Sequence, residues 1–203
     1  MSISDTYFTI SKPSVSLFKD KGSKFYGFAF PVADEDDVKF HLDEAKKLHP
    51  KARHHCFAYR LGINDDNFRA YDDGEPSGSA GKPILNVLLS QNLRNVFIVV
   101  VRYFGGTLLG VPGLINAYKM ASIEALDEVK LEERTINESL QLSFNIQYMN
   151  EVMRIIKKYE LNILSQDYTD KYILTIEVRL SLLEEVKEAV LDLRFVELES
   201  SEV

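Results

Sequence analysis

Six consecutive apolar residues, Val96-Phe-Ile-Val-Val-Val101, dictate more about this chain than any other stretch. A strand with one wet face alternates apolar and polar residues; this run does not, so it predicts a central strand covered on both faces. It falls far short of the roughly 20 apolar residues that cross a bilayer. The opening segment MSISDTYFTISKPSVSLF has no apolar signal-peptide stretch, and the expectation is a cytoplasmic protein outside the membrane. With 203 residues, 45% hydrophobic and 27% charged, the chain can build one large or two small domains with a real core. Cys56 is the single cysteine, which excludes an internal disulfide and a cysteine-based zinc site and fits a reducing compartment.

The residues before the apolar run read as an α+β domain. Phe25–Phe30 predicts a strand after the basic turn 19–24. Asp34 is placed to cap a helix with Val38, Leu42, Ala45 and Leu48 on one face and Pro50 at its end. His54–Leu61 predicts a strand and 64–67 a turn. The small-residue loop 74–81 leads to Pro83, a favoured first helical residue, followed by Ile84, Val87 and Leu88. A last helix is expected over 113–129.

The charged segment 128–137 holds no Gly or Pro and reads as the joint between domain 1–130 and domain 137–203, entered as extended strand. Beyond it Leu140, Leu142, Phe144, Ile146 and Tyr148 alternate with polar residues, Asn150 can cap a helix, and Val152, Ile155, Ile156 and Tyr159 recur at helical spacing. Two strands, 161–166 and 172–180, flank a polar turn. Ser181-Leu-Leu-Glu184 has the capping-box pattern and 195–198 closes a β-α-β-β-α-β order, the ferredoxin-like arrangement.

The net charge of -7 argues against a generic polyanion binder, but it is unevenly spread. Residues 137–203 contain 7 Lys and Arg against 13 Asp and Glu, whereas 1–136 contain 17 against 18. Any anion contact is therefore expected in the first domain.

Its most unusual stretch is Asp72-Asp-Gly-Glu-Pro-Ser-Gly-Ser-Ala-Gly-Lys82. Ser77, Gly78, Ser79 and Gly81 let backbone approach a ligand, several N–H groups can converge on an oxyanion, and Lys82 adds charge. The P-loop spacing is absent, since its first glycine falls on Pro76 and its hydroxyl position on Pro83. Asp72, Asp73 and Glu75 offer oxygens to a hard cation, but without calcium-loop spacing they read equally as turn formers. The turn after the apolar run carries Gly105, Gly106, Gly110 and Gly113, which do not fit G-x-G-x-x-G, so tight packing competes with phosphate binding there. Arg102, ending an apolar strand, needs a carboxylate, a carbonyl or an external phosphate.

His54, His55 and Cys56, with His49 nearby, raise a metal or a Cys–His pair. Strand geometry turns His55 away from the other two, and a buried cysteine with surface histidines is the preferred reading; no metal and no cofactor are expected. Arg53, Arg60, Arg69, Lys82, Arg94 and Arg102, interleaved with Phe57, Tyr59, Tyr71 and Tyr103, have the cation-and-ring mix of single-stranded nucleic-acid binders, or of scattered surface arginines.

Arg53-His-His-Cys-Phe-Ala-Tyr-Arg60, the segment 72–84 and Val100-Val-Arg-Tyr-Phe-Gly-Gly-Thr-Leu-Leu-Gly110, in this order, resemble the IMPACT/YigZ family over roughly 15–127. The resemblance implies a ribosomal-protein-like first domain with a left-handed β-α-β crossover. It implies a second domain similar to the small domains of elongation factor G. For function it implies regulation of translation or stress signalling: eukaryotic relatives bind an activator of an initiation-factor kinase, and nucleic acid or ribosomes are the partners considered for bacterial ones. No established reaction comes with it. Where many members carry Lys, Gly-Gly and Arg, this chain has Leu108, Val111-Pro112-Gly113 and Asn116, which removes two positive charges and one backbone donor.

The expectation is thus a two-domain, non-enzymatic binding protein linked to translation. It would contact RNA, the ribosome or a translation-related protein through Arg53, His54, His55, Arg60, the 72–82 loop, Arg102, Tyr103, Gly105 and Gly106. The competing reading is a small-molecule phosphate-binding or hydrolytic enzyme using Asp72, Asp73, Glu75 and Lys82.

Overall fold

The computed structural model describes residues 5–63 and 67–200. Most of the expected 64–67 turn lies outside the described residues. Two compact units form, one of residues 7–134, the other of 135 onward together with Asp5 and Thr6. The chain passes between them twice. Strands β1 (Thr6–Ile10) and β7 (Leu131–Thr135) pair as a ribbon, so the charged joint is an ordered strand. No helix among the described residues is long and apolar enough to cross a membrane.

The first unit is built on β2 (Ser14–Asp20), β3 (Ser23–Pro31), β4 (His54–Arg60), β5 (Phe68–Tyr71) and β6 (Val96–Tyr103), in the sheet order β2-β3-β6-β4-β5. All neighbours are antiparallel. The apolar run is the central strand. Val96, Ile98 and Val100 enter the core shared with α2 (Gly81–Ser90) and α3 (Gly110–Asp127). Phe97, Val99 and Val101 enter the opposite core, closed by α1 (Glu35–Leu48). All six side chains are fully buried, and each contributes roughly 1.5–3 kcal/mol before the entropy of ordering is subtracted.

Local chemistry sets the element ends. Lys21 and Gly22 both have positive φ, 42° and 80°, the type I′ pattern that matches the twist of the β2–β3 hairpin. The sequence pattern had shown only β3 and its basic turn. Asp34 Oδ1 accepts from Asp37 N at 2.9 Å, capping α1 as predicted, while Leu48, expected on the buried face, is exposed. Helix α2 begins at Gly81, so Pro83 is its third residue; this is tolerated because first-turn N–H groups have no intrahelical acceptor. Helix α3 starts at Gly110, with Pro112 likewise in its first turn.

The second unit orders β8 (Asn137–Phe144), α4 (Met149–Lys158), β9 (Asn162–Tyr168), β10 (Tyr172–Arg179), α5 (Leu183–Leu191) and β11 (Val196–Ser200). Its antiparallel sheet runs β11-β8-β10-β9. Leu140, Leu142, Phe144, Leu174, Ile176 and Val178 face Val152, Ile156, Val186 and Val190. Three expectations need correction. The alternation stops at Phe144, and Ile146–Tyr148 form a 3-10 turn. Asn150 lies inside α4 and does not cap it; no side chain caps that helix, and Asn145 instead caps the 3-10 turn, accepting from Gln147 N at 3.1 Å. Ser181 does not cap α5; its hydroxyl instead joins Arg179 in bonding Asp5, whose carboxyl is thereby held well below the usual carboxylate range.

Candidate functional site

Antiparallel pairing places His54 opposite Arg102 and Arg60 opposite Val96. Arg60 is thus six residues along β4 from His54, about 20 Å at strand rise. It is buried and donates to the Leu93 carbonyl at 3.1 Å. Arg60 therefore does not share a groove with Arg53 and Arg102, although the sequence places it in the same motif.

The small-residue loop turns inward. The Asp72 carboxylate accepts from the backbone N–H groups of Gly78 at 2.8 Å, Ala80 at 3.0 Å and Gly81 at 2.8 Å. The donors expected to meet an external oxyanion are therefore taken by the loop's own anion, which also satisfies the start of α2. Asp73, at φ 43°, accepts from His55 N through Oδ2 at 2.7 Å, and its carbonyl meets His54 Nδ1 at 2.8 Å. Glu75 Oε1 accepts from Arg102 at 2.6 Å and from the Tyr118 hydroxyl at 2.8 Å. The three carboxylates thus serve three different internal donor sets and converge on no common point. Ser79 is buried and donates to the Pro76 carbonyl at 2.6 Å, and Ser77 and Lys82 are exposed.

Cys56 and Tyr118 complete this buried network. The Cys56 sulfur lies 2.9 Å from the Asp72 carbonyl and 3.3 Å from the Tyr118 hydroxyl, and burial pushes the thiol well above its ordinary pKa, against nucleophilic use. His55 is buried too, which corrects the expectation of a surface histidine; burial holds its pKa below 6.5.

What the fold does bring together is Arg53, His54, Arg102 and Tyr103, with Lys51 and Phe104, around a cleft of about 390 Å³. Lys51 and Arg53 have no carboxylate partner among the described residues, whereas the charge of Arg102 is met by Glu75. The Arg102 guanidinium lies between two rings, 5.5 Å from the centre of Phe25 and 5.7 Å from that of Phe104, and its Nε is buried with no partner. Because a carbonyl only accepts, His54 Nδ1 carries a proton toward Asp73, so in the neutral tautomer Nε2 is the free acceptor. Tyr103 is oriented by a 3.0 Å bond between its hydroxyl and His49 Nδ1. Gly105 packs so tightly on the β2–β3 turn that an added Cβ would sit 1.9 Å from Gly22 C; its N–H donates to Ser23 Oγ at 3.1 Å. Gly106, with φ of 88°, completes the turn that leaves Phe104 57% exposed.

Lys51 and Phe104 were not among the residues singled out from sequence. Lys51 follows the helix-ending Pro50, and Phe104 sits inside a motif read for its glycines. The available signal was cation and ring flanking residues already chosen.

A central strand buried on both faces, a self-liganded loop and a cationic cleft beside a glycine turn define an α+β protein built on the Impact N-terminal domain, whose family model matches residues 21–126. The chain belongs to the IMPACT family. It is 32% identical over 165 residues to the IMPACT family member YvyE of Bacillus subtilis, covering 81% of this chain and 76% of that one. To YigZ of Escherichia coli it is 32% identical over 150 residues, covering 73% and 74%. A crystal structure described as that of a hypothetical protein matches with a TM-score of 0.69 at 27% identity, over 98% of this chain and 99% of the other.

Proposed function

We propose that this is a non-enzymatic, cytoplasmic binding protein linked to translation regulation, and that it holds single-stranded RNA, free or on the ribosome, in the cleft between β4 and the turn after β6. The observation that carries the reading is the pairing of two uncompensated cations, Lys51 and Arg53, with the exposed ring of Phe104 in one cleft. Phosphates would meet the cations, a base would stack on Phe104 for about 1–3 kcal/mol, and His54 Nε2 would accept from an exocyclic amino group. The link to translation is what the resemblance of the three motifs implies. The sheet order of 135–200 supports a ferredoxin-like second domain, and the ribosomal-protein-like assignment with its left-handed crossover is retained for the first. Compared with the expectation from sequence, the contact surface moves from the 72–82 loop to the cleft beside it.

Binding of a labelled single-stranded RNA is to be measured across a salt series. Arg53→Ala and Lys51→Ala should each flatten the salt dependence by about 0.7. Phe104→Ala should weaken binding at every salt, and Lys82→Ala should change little. Absence of binding at low salt, or indifference to both Arg53→Ala and Phe104→Ala, would overturn the assignment.

A further inference from the structure

Strand β2 is the outer edge of the five-stranded sheet, so half of its N–H and C=O groups point away from β3. Its two faces are unlike. On one, Ser14 Oγ donates to the Ala125 carbonyl at 2.6 Å and Ser16 Oγ to that of Ala121 at 2.9 Å, which ties the strand under α3. On the other, Val15 and Leu17 are 55% and 40% exposed, opposite Phe28 and Tyr26 of β3.

Two clefts meet along this edge. One, of about 580 Å³, is lined by Val15, Leu17 and Tyr26 and by Glu124, Asp127 and Glu128 from the end of α3. The other, of about 410 Å³, shares Val15 and adds Phe28, Phe30, Leu48 and Glu44. The edge thus offers an apolar strip on one side of the sheet and three carboxylates on the other. None of those three has a cationic partner among the described residues.

We propose that the β2 edge accepts, as a sixth strand, an extended segment of a partner protein in which apolar residues alternate with Lys or Arg. An added strand turns successive side chains to opposite faces, so one set extends the Val15–Leu17 strip while the other meets Glu124, Asp127 and Glu128. The complementarity is specific to that alternation. A second copy is a poor occupant: two-fold pairing of β2 with itself would set both carboxylate clusters on the same side of the joined sheet, where like charges repel. The proposal is independent of the RNA cleft.

The test uses the full chain and two labelled peptides of one composition, alternating Lys-Val-Lys-Val-Lys-Val-Lys and block Lys-Lys-Lys-Lys-Val-Val-Val. The alternating peptide should bind about tenfold tighter than the block, and Leu17→Asp or the double change Glu124→Lys with Asp127→Lys should each weaken it about tenfold. Amide exchange should slow in β2 on binding. Equal affinity for the two peptides, or binding unmoved by either variant, would overturn the proposal. So would sedimentation showing that the chain forms a dimer that Leu17→Asp disperses.

Discussion

Arg102 and Glu75 form an ion pair at 2.6 Å in which both side chains are more than nine-tenths buried, and the Tyr118 hydroxyl donates to the same carboxylate oxygen. The pair joins the central strand to the 72–81 loop, and it is the answer to the question an arginine at the end of an apolar strand poses. Removing one partner strands the other charge. Glu75→Ala should cost about 3–5 kcal/mol in urea unfolding, and replacing both, Glu75→Leu with Arg102→Met, should cost less than either single change.

Asp72 satisfies three backbone donors. Each part-buried donor left without an acceptor carries a penalty of about 1–3 kcal/mol, so Asp72→Ala should lower stability by at least about 2 kcal/mol. The loop should also become the first site of proteolytic cleavage, read by mass spectrometry of limited digests. Asp72→Asn keeps one acceptor oxygen and should fall between.

The close approach of Gly105 to Gly22 is backbone on backbone, so no side chain can yield to an added methyl. Gly105→Ala should therefore destabilise more than Gly78→Ala. At Gly78 the φ of 73° alone opposes a side chain and nothing lies within 4 Å, a cost of about 1–2 kcal/mol. Thermal melts of the two variants compare them directly.

Burial keeps the imidazoles of His49 and His55 below their ordinary pKa of 6.5. On acidification the unfolded chain takes up protons first, so this part of the stability is present above pH 6.5 and declines as pH falls below it. Urea unfolding at about pH 7.5, 6.5 and 5.5 should show the decline. His49→Phe should flatten it, because that ring already packs against Tyr26 and Phe28 and a phenyl group can occupy its place.

The two-sided burial of Val96–Val101 was readable from six letters because composition within a strand reports how many faces are dry. Asp34 as a cap was readable because a cap acts over three residues. The cleft was not. It depends on His54 facing Arg102, a register set when β6 enters between β3 and β4, and no local pattern carries that information. The same register sends Arg60 to the far end of β4, although in the sequence it belongs to the same motif as Arg53. The loop's N–H groups were recognised as anion ligands; that Asp72, six to nine residues earlier, is the anion follows only from how the loop folds back.

The central strand of the first sheet is also the last of its five to be made. Tyr103 pairs with Lys24, synthesised 79 residues earlier, and at about 5–20 residues per second that partner waits roughly 4–16 s. Until then β3 and β4 lack the strand that joins them in the finished sheet, and their inner edges have no partner. Completion of this sheet therefore waits on β6, and a chain stalled before residue 96 lacks the strand that would cover the facing edges of β3 and β4.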